Sequence, residues 1–167
     1  MSFTYKEAHE YLDSLLVFGI KLGLQNMEAL CQLLGNPQED LKFIHVAGTN
    51  GKGSSCSMLA SAFKSVGLKT GFYSSPFLCN FTERWRVNGQ EVTEQQVASV
   101  IGEIASYEEK LERITGARPT YFEVLTAASL ILFKASLTGT FSKKVKSGFN
   151  VYVPNSLILS NDLTLNP

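Results

Sequence analysis

The sequence contains few of the residues that mark specialised classes of protein. Its 167 residues include only three cysteines, Cys31, Cys56 and Cys79, which lie far apart. They form neither a C-x-x-C metal pair nor a disulfide framework, which agrees with a reducing compartment. Fifteen basic residues are balanced by fifteen acidic ones. No overall charge therefore indicates a nucleic acid or an anionic membrane as a partner.

Long apolar runs are also absent. No stretch reaches the roughly 18 uninterrupted apolar residues of a membrane-spanning helix. The polar start, MSFTYKEAHEYLD, lacks the apolar core of a signal peptide. Hydrophobic residues still make up 44% and charged residues 18% of the chain, a balance typical of a globular protein with a core. We therefore expect a cytoplasmic protein with no membrane partner.

Helix signals recur along the first 134 residues. Thr4, Thr93 and Thr120 are each followed three residues later by Glu or Gln, so capping boxes predict three helix starts. Asn26 is expected to cap a further helix. The apolar spacing after Thr93 predicts one long helix that ends at Gly116.

A strand, a glycine loop, a helix and a second strand follow one another in the middle of this region. KFIHVAG at 42–48 and KTGFYSS at 69–75 are typical of strands, and the intervening residues repeat at helical spacing. Their predicted apolar face consists of Met58, Leu59, Ala62, Phe63 and Val66. Such crossovers form parallel sheets. We predict an α/β fold with a parallel sheet, flanking helices and a hairpin at Asn88-Gly89.

The glycine loop departs from the Walker A pattern, G-x-x-x-x-G-K-[ST]. When the pattern is aligned on Gly51 and Lys52, its first glycine falls on Val46 and its hydroxyl residue falls on Gly53. The hydroxyl comes one place later, at Ser54.

The chemistry of a phosphate site is nevertheless present in this loop. We expect Gly48, Gly51 and Gly53 to adopt positive φ angles that turn backbone N–H groups toward one point. Lys52 supplies a cation, and Ser54 is predicted at a helix N-terminus, where an anion is favoured. The alternative is a glycine-rich turn that only joins a strand to a helix. The combination of glycines, lysine, hydroxyl groups and βα context favours phosphate binding.

Four motifs occur in an order that resembles the folylpolyglutamate synthase and dihydrofolate synthase family of the Mur ligase superfamily. They are HVAGTNGKGSS at 45–55, YSSPFL at 73–78, TERWRVNGQEV at 82–92 and PTYFEVLTAASLILF at 119–133. The resemblance extends from about residue 3 to residue 134. It implies that 1–134 is the N-terminal part of an ATP-binding ligase domain, an incomplete Mur-ligase central ATPase domain with a P-loop.

The resemblance also implies an activity. Members of this family are ATP-dependent ligases that add L-glutamate to folate or dihydropteroate through an acyl-phosphate intermediate. The implied cofactors are ATP and Mg²⁺, and the implied substrates are small molecules. No nucleic acid, membrane or obligate protein partner is implied.

Site residues are carried over from the family only where a motif matches. The resemblance places the ATP phosphates on Thr49, Asn50, Gly51, Lys52, Gly53 and Ser54, with Lys52 also catalytic. It makes Ser75 a magnesium ligand and assigns a pterin-substrate contact to Thr120, Tyr121 and Phe122. Without the resemblance, a serine before Pro76 only caps a turn and the two aromatic residues belong to a core. Two interpretations of the charged stretch 83–86 stay open. It is either a solvated strand face or part of a loop that shapes the site.

The chain departs from the family after Lys134. No E-V-G-x-G-G motif follows, and no histidine occurs after His45. Of the three metal ligands that the resemblance implies, only Ser75 is therefore present in this sequence. We expect 135–167 to be a tail that does not match the family, such as a frameshift, a mispredicted exon or a truncated gene product would produce. VYVPNSLIL in this tail has the composition of a strand, but Pro154 argues against a central position in a sheet.

Two functions therefore stay open. One is a folate-conjugating ligase of which this chain is a fragment, inactive alone. The alternative is a non-catalytic truncated remnant that at most binds ATP. A P-loop kinase or GTPase is disfavoured, because the Walker spacing fails and neither Asp-x-x-Gly nor Asn-Lys-x-Asp follows.

Overall fold

The computed structural model describes residues 3–19, 23–46, 49–137 and 156–160. In chain order their helices and strands are α1 (Tyr5–Leu15), α2 (Gln25–Leu33), β1 (Lys42–His45), α3 (Lys52–Ser65), β2 (Thr70–Ser74), β3 (Trp85–Val87), β4 (Gln90–Glu91), α4 (Glu94–Ser106), α5 (Glu108–Thr115), α6 (Tyr121–Leu137) and β5 (Ser156–Ser160). No helix in these ranges is long and apolar enough to cross a membrane. The predicted domain boundary at residue 134 stays a prediction.

The described residues divide into two compact units. The first lies within Met1–Pro37 and Thr93–Leu132, and the second lies within Gln38–Val92 and Phe133–Pro167. The first is helical and the second contains the sheet, so the α/β character predicted from the sequence is confirmed.

Capping boxes set three helix starts as predicted. The hydroxyl groups of Thr4, Thr93 and Thr120 accept hydrogen bonds from backbone N–H groups three residues on, at 3.3, 3.2 and 3.2 Å. Each satisfies a backbone donor that has no partner within its own helix. The sequence of α6 is apolar nearly all round, which predicts a helix packed between layers, and the helix is buried on nearly every side.

Three predictions for the helical unit are wrong. Asn26 does not cap α2, because it lies inside the helix and its amide donates to Arg118 O at 3.1 Å and to Glu123 Oε2 at 3.4 Å. The single helix predicted after Thr93 is broken at Tyr107 into α4 and α5. The helical spacing of Ala8, Leu12, Leu15 and Leu16 predicted one apolar face for α1, but Leu16 is 59% exposed because it lies in a 3₁₀ turn beyond the end of this helix.

The second unit is built on a sheet with strand order β1-β5-β2-β3-β4. Each strand pairing among the described residues is antiparallel. The prediction of a parallel sheet is therefore wrong. Strands β1 and β2 do point the same way, since both are antiparallel to β5, and α3 connects them as the crossover predicted.

The central position between β1 and β2 belongs to β5. Ser160 lies opposite Lys42 on one side and Thr70 on the other. The argument from Pro154 against a central strand is wrong, because the strand begins two residues later and proline removes a ladder donor only at its own position. An apolar run has the same hydrophobic pattern in both directions, so sequence alone does not fix strand polarity.

A small apolar cluster holds α3 against the sheet. Buried Cys56 and Phe72 form its centre, with Ile44, Val46, Leu59, Ala60 and Phe63 packed around them. Three members of the predicted apolar face of α3 lie outside this cluster, because Met58 is 71% exposed, Val66 is 72% exposed and Ala62 is also exposed. The Asn88-Gly89 hairpin is confirmed, with φ angles of 50° and 80° at the two turn residues.

Candidate functional site

The sheet unit contains an open cleft of about 720 Å³ at the start of α3. One wall consists of the loop and the first turns of α3, from Thr49 to Met58. The other wall follows β2 and includes Ser74, Ser75, Glu83 and Arg86. The cleft therefore brings together two of the sequence motifs, which are separated along the chain by a helix and a strand.

The start of α3 is set by one left-handed residue. Gly51 has a φ angle of 76° and is the N-cap of α3, a conformation that favours glycine. The first bond of the helix runs from the N–H of Ser55 to Gly51 O at 2.9 Å. The N–H groups of Lys52, Gly53 and Ser54 consequently have no acceptor within the helix. They lie at the positive end of the helix dipole, on the wall of the cleft.

The positive φ angle predicted for Gly53 is wrong, because this residue is part of the α-helix. A Cβ at Gly53 or Gly51 would meet no protein atom within 4 Å. Neither glycine is required by close packing within the protein, and the space beside each is open. Gly48 lies outside the described residues.

Lys52 is the first residue of α3 and lines the cleft. Its Nζ donates to the carbonyl oxygen of Thr49 at 3.2 Å. This contact folds the side chain back over the loop, so its positive charge lies next to the N–H groups of the helix start. The two sources of positive potential reinforce each other at one end of the cleft.

Ser75 is held by a buried arginine on the opposite wall. Arg84 Nη1 donates to Ser75 Oγ at 3.0 Å, and the Ser75–Pro76 peptide bond is cis. Arg86, also on this wall, lies 4.0 Å from Glu91, and both side chains are more than one-third exposed.

Glu83 has a structural task in the loop before β3. Its carboxylate accepts hydrogen bonds from the backbone N–H groups of Leu78, Cys79 and Asn80, at 3.1, 3.2 and 3.0 Å. These bonds, chiefly the one from Asn80, hold the pKa of Glu83 below its usual range. The carboxylate is therefore charged at neutral pH and fixes the loop, so it is poorly suited to act as a general base.

The described residues contain no group of three or more His, Cys, Asp or Glu side chains close enough to hold a metal ion. Mg²⁺ at a nucleotide, however, is held largely by phosphate oxygens and water and needs few protein ligands. A hydroxyl on the wall facing a phosphate loop fits one such ligand. Ser75 meets that requirement, since its residue lines the same cleft as 49–54.

The predicted substrate residues Thr120, Tyr121 and Phe122 belong to the helical unit and are not among the residues that line the cleft. Thr120 is buried and caps α6, where its N–H donates to Glu123 Oε2 at 2.7 Å. Phe122 is 41% exposed. Their assignment to a substrate contact stays a prediction.

Several residues that line the cleft were not among the predicted site residues, and Ser57 and Arg86 are two polar examples. Ser57 lines the wall formed by α3, and its spacing of three residues from Ser54 places both on one helical face. That spacing was visible in the sequence. Arg86 was left open as part of a solvated strand face, and the pleat of β3 turns it into the cleft.

Comparisons with known proteins identify relatives of most of this chain. No family model matches it. It is 33% identical over 129 residues to the dihydrofolate synthase/folylpolyglutamate synthase of Bacillus subtilis, an alignment that covers 77% of this chain and 30% of that protein. The structure resembles the crystal structure of folylpolyglutamate synthase from Thermotoga maritima with a TM-score of 0.71 and 34% identity, over 79% of this chain and 30% of that one.

A further solved structure with the same fold holds a nucleotide. It is the folylpolyglutamate synthase of Mycobacterium tuberculosis complexed with ADP, with a TM-score of 0.72 and 28% identity over 80% of this chain and 30% of that chain. This chain thus spans about a third or less of the length of the relatives named here.

Proposed function

Because this chain belongs to the folylpolyglutamate synthase and dihydrofolate synthase family, we propose that its cleft is the ATP-phosphate site of a ligase. The ligase joins L-glutamate to folate or to dihydropteroate. The single observation that carries this proposal is the cleft itself, which is lined by Lys52 and the start of α3 on one wall and by Ser75 on the other. The reaction of the whole protein is part of the proposal, since the chain covers 30% of its relative from Bacillus subtilis.

The geometry of the loop supports phosphate binding. The N–H groups of Lys52, Gly53 and Ser54 at the start of α3 form an anion site of the kind that binds phosphates. Lys52 adds a compact cation that bonds phosphate oxygens as a point charge. A related folylpolyglutamate synthase is described in complex with ADP, which supports a nucleotide as the ligand.

The proposed reaction has two steps. A carboxylate oxygen of the folate substrate attacks the γ-phosphorus of ATP, the bond to the β,γ-bridging oxygen breaks, and ADP leaves. The amine of L-glutamate then attacks the acyl carbon, phosphate leaves, and the amine loses a proton as the amide forms. The protein positions the reactants and neutralises charge, because the phosphoryl group itself supplies the leaving group.

Residues of this chain take separate parts in that scheme. Lys52 binds the transferred phosphoryl oxygens, and residues 49–54 hold the remaining phosphates. Ser75 would supply one oxygen ligand for the magnesium ion that accompanies ATP. The bound ion would neutralise phosphate charge. We also propose that Thr120, Tyr121 and Phe122 contact the pterin, and that the protein acts on small molecules in the cytoplasm.

The chain by itself is proposed to bind ATP without turning it over. Among the described residues of the cleft, Glu83 is the one carboxylate, and backbone N–H groups already occupy it. No described side chain in the cleft is therefore placed to accept the proton of the glutamate amine. This is the alternative function of a non-catalytic nucleotide-binding chain.

Equilibrium titration with ATP and Mg²⁺ tests the site. The purified chain should bind ATP, and Lys52→Ala should weaken binding about 10- to 100-fold, the loss expected for a charge-assisted hydrogen bond. Lys64→Ala is the matched control, because Lys64 belongs to the same helix and does not line the cleft. Equal binding by all three proteins would show that the cleft is not the site.

Incorporation of labelled L-glutamate into folate separates the two functions. The chain alone is expected to show none. Measurable incorporation that Lys52→Ala abolishes would establish the ligase and refute the non-catalytic alternative.

A further inference from the structure

Arg84 is a buried cation beneath the second wall of the cleft. The residue is 6% exposed, and its guanidinium carbon lies 5.0 Å from the ring centroid of Phe77 and 5.3 Å from that of Phe81. Its Nη1 donates to Ser75 Oγ. Its Nε is also buried and has no hydrogen-bond partner among the described residues.

No carboxylate neutralises this arginine within the described part of the chain. Arg84 belongs to none of the ion pairs found there. Its sequence neighbour Glu83 points its carboxylate at three backbone N–H groups instead. Two aromatic rings offset part of the cost of burial, but burying an unpaired charge with an unsatisfied donor still disfavours folding.

Because burial of the Arg84 charge disfavours folding, we look for a role of this side chain other than packing. A methionine would pack beside the two rings without a charge. Among the described residues, the guanidinium group of Arg84 donates its hydrogen bond to Ser75, which lines the cleft, whereas Arg84 itself does not. The structure therefore connects the buried charge to the cleft through a single hydroxyl group.

We propose that Arg84 is a positioning residue that fixes the hydroxyl of Ser75 toward ATP bound in the cleft, an inference that rests on the function proposed above. A serine oxygen has two lone pairs and one hydrogen. The Arg84 N–H occupies one lone pair, so the other lone pair and the hydrogen are left for the ligand. The rings of Phe77 and Phe81, whose centroids lie 5.8 Å apart, both contact the guanidinium group and restrict its movement toward other partners.

Four proteins test this proposal: the wild-type chain, Ser75→Ala, Arg84→Met and the double variant. Each is titrated with ATP in the presence of Mg²⁺ and again with a chelator. Each is also unfolded in urea, with the fluorescence of Trp85 as the probe. Trp85 is the only tryptophan, is fully buried, and its ring centroid lies 5.4 Å from that of Phe81.

The expected results separate positioning from packing. Arg84→Met should bind ATP about tenfold more weakly, the loss of one charge-assisted hydrogen bond, and should be as resistant to urea as the wild type or more so. Ser75→Ala should lose a similar factor, and the double variant should bind no more weakly than Ser75→Ala. A loss seen only with Mg²⁺ would identify the ion as the partner of Ser75, and a loss in both conditions would identify a phosphate oxygen; either supports the proposal.

Two outcomes would overturn it. If the losses in ATP binding multiply in the double variant, Arg84 does not act through Ser75. If Arg84→Met is destabilised and binds ATP as well as the wild type, the arginine only packs the loop. Failure of the wild type to bind ATP while Lys52→Ala behaves identically would instead refute the proposed function, and this inference with it.

Discussion

Replacement of Gly71 by alanine is the sharpest test of how Phe133 packs against β2. Gly71 lies in β2, and a Cβ built on it would stand 2.7 Å from both Cγ and Cδ1 of Phe133 and 3.1 Å from Cδ2. Carbon atoms in contact prefer separations of about 3.5–4.0 Å. The added methyl group must therefore displace the ring or the strand by roughly 1 Å.

Neither neighbour can move easily. Phe133 is fully buried, and β2 is hydrogen-bonded on both sides, to β5 and to β3. Overpacking of this kind lowers the free energy of unfolding by about 1–3 kcal/mol. The smaller conformational freedom of alanine in the unfolded chain offsets roughly 0.5–1 kcal/mol of this loss. We expect Gly71→Ala to lower the free energy of unfolding by about 1–2 kcal/mol, or the melting temperature by about 2–8 °C.

Urea unfolding followed by Trp85 fluorescence measures this change. A second variant, Gly71→Ala with Phe133→Leu, removes the clashing ring and should be less destabilised than the sum of the two single changes. Gly53→Ala is the matched control, because its Cβ would meet no protein atom within 4 Å. Wild-type stability of Gly71→Ala, or strict additivity in the double variant, would refute the packing described here.

Two further predictions concern the cleft. Gly53→Ala should leave stability unchanged or raise it, since alanine is favoured over glycine in a helix by about 1 kcal/mol. The same change should weaken ATP binding, because the added methyl group occupies space beside the helix N–H groups. Unchanged ATP affinity would show that Gly53 is not part of the site. Glu83→Gln should flatten the dependence of stability on pH below the usual range of carboxyl groups. The pKa of Glu83 is lowered in the folded state, so its contribution is complete above the unfolded-state pKa and is lost as pH falls through the folded-state value. Melting temperatures measured from pH 6 to pH 3 check this, and parallel curves for the two proteins would contradict it.

Local signals in the sequence identified most of the elements correctly. Thr4, Thr93 and Thr120 begin their helices where the capping boxes predicted, because the hydrogen bonds concerned span only three residues. The Asn88-Gly89 turn formed for the same reason, since the residues themselves tolerate positive φ angles. A helix directly after the glycine loop also followed from the local pattern, although it begins at Lys52, two residues before Ser54.

Contacts between distant residues account for the wrong predictions. Asparagine is a residue type favoured at helix N-caps. Asn26 nevertheless lies inside α2, where its side chain bonds to Arg118 and Glu123, more than 90 residues away. Met58 repeats at the same spacing as Leu59 and Phe63, yet only part of that face meets the cluster around Cys56. Periodicity does not tell which portion of a helical surface a sheet will cover.

The sequence by itself determined the loop chemistry and the family, because both depend on the identity and order of residues in short motifs. It placed a lysine, glycines and serines at the start of one helix, where backbone geometry alone makes an anion site. Tertiary structure decided the rest. Strand polarity, the central place of β5 and the approach of Arg84 to Ser75 depend on backbone pairing and on contacts between separate segments, which no local pattern encodes.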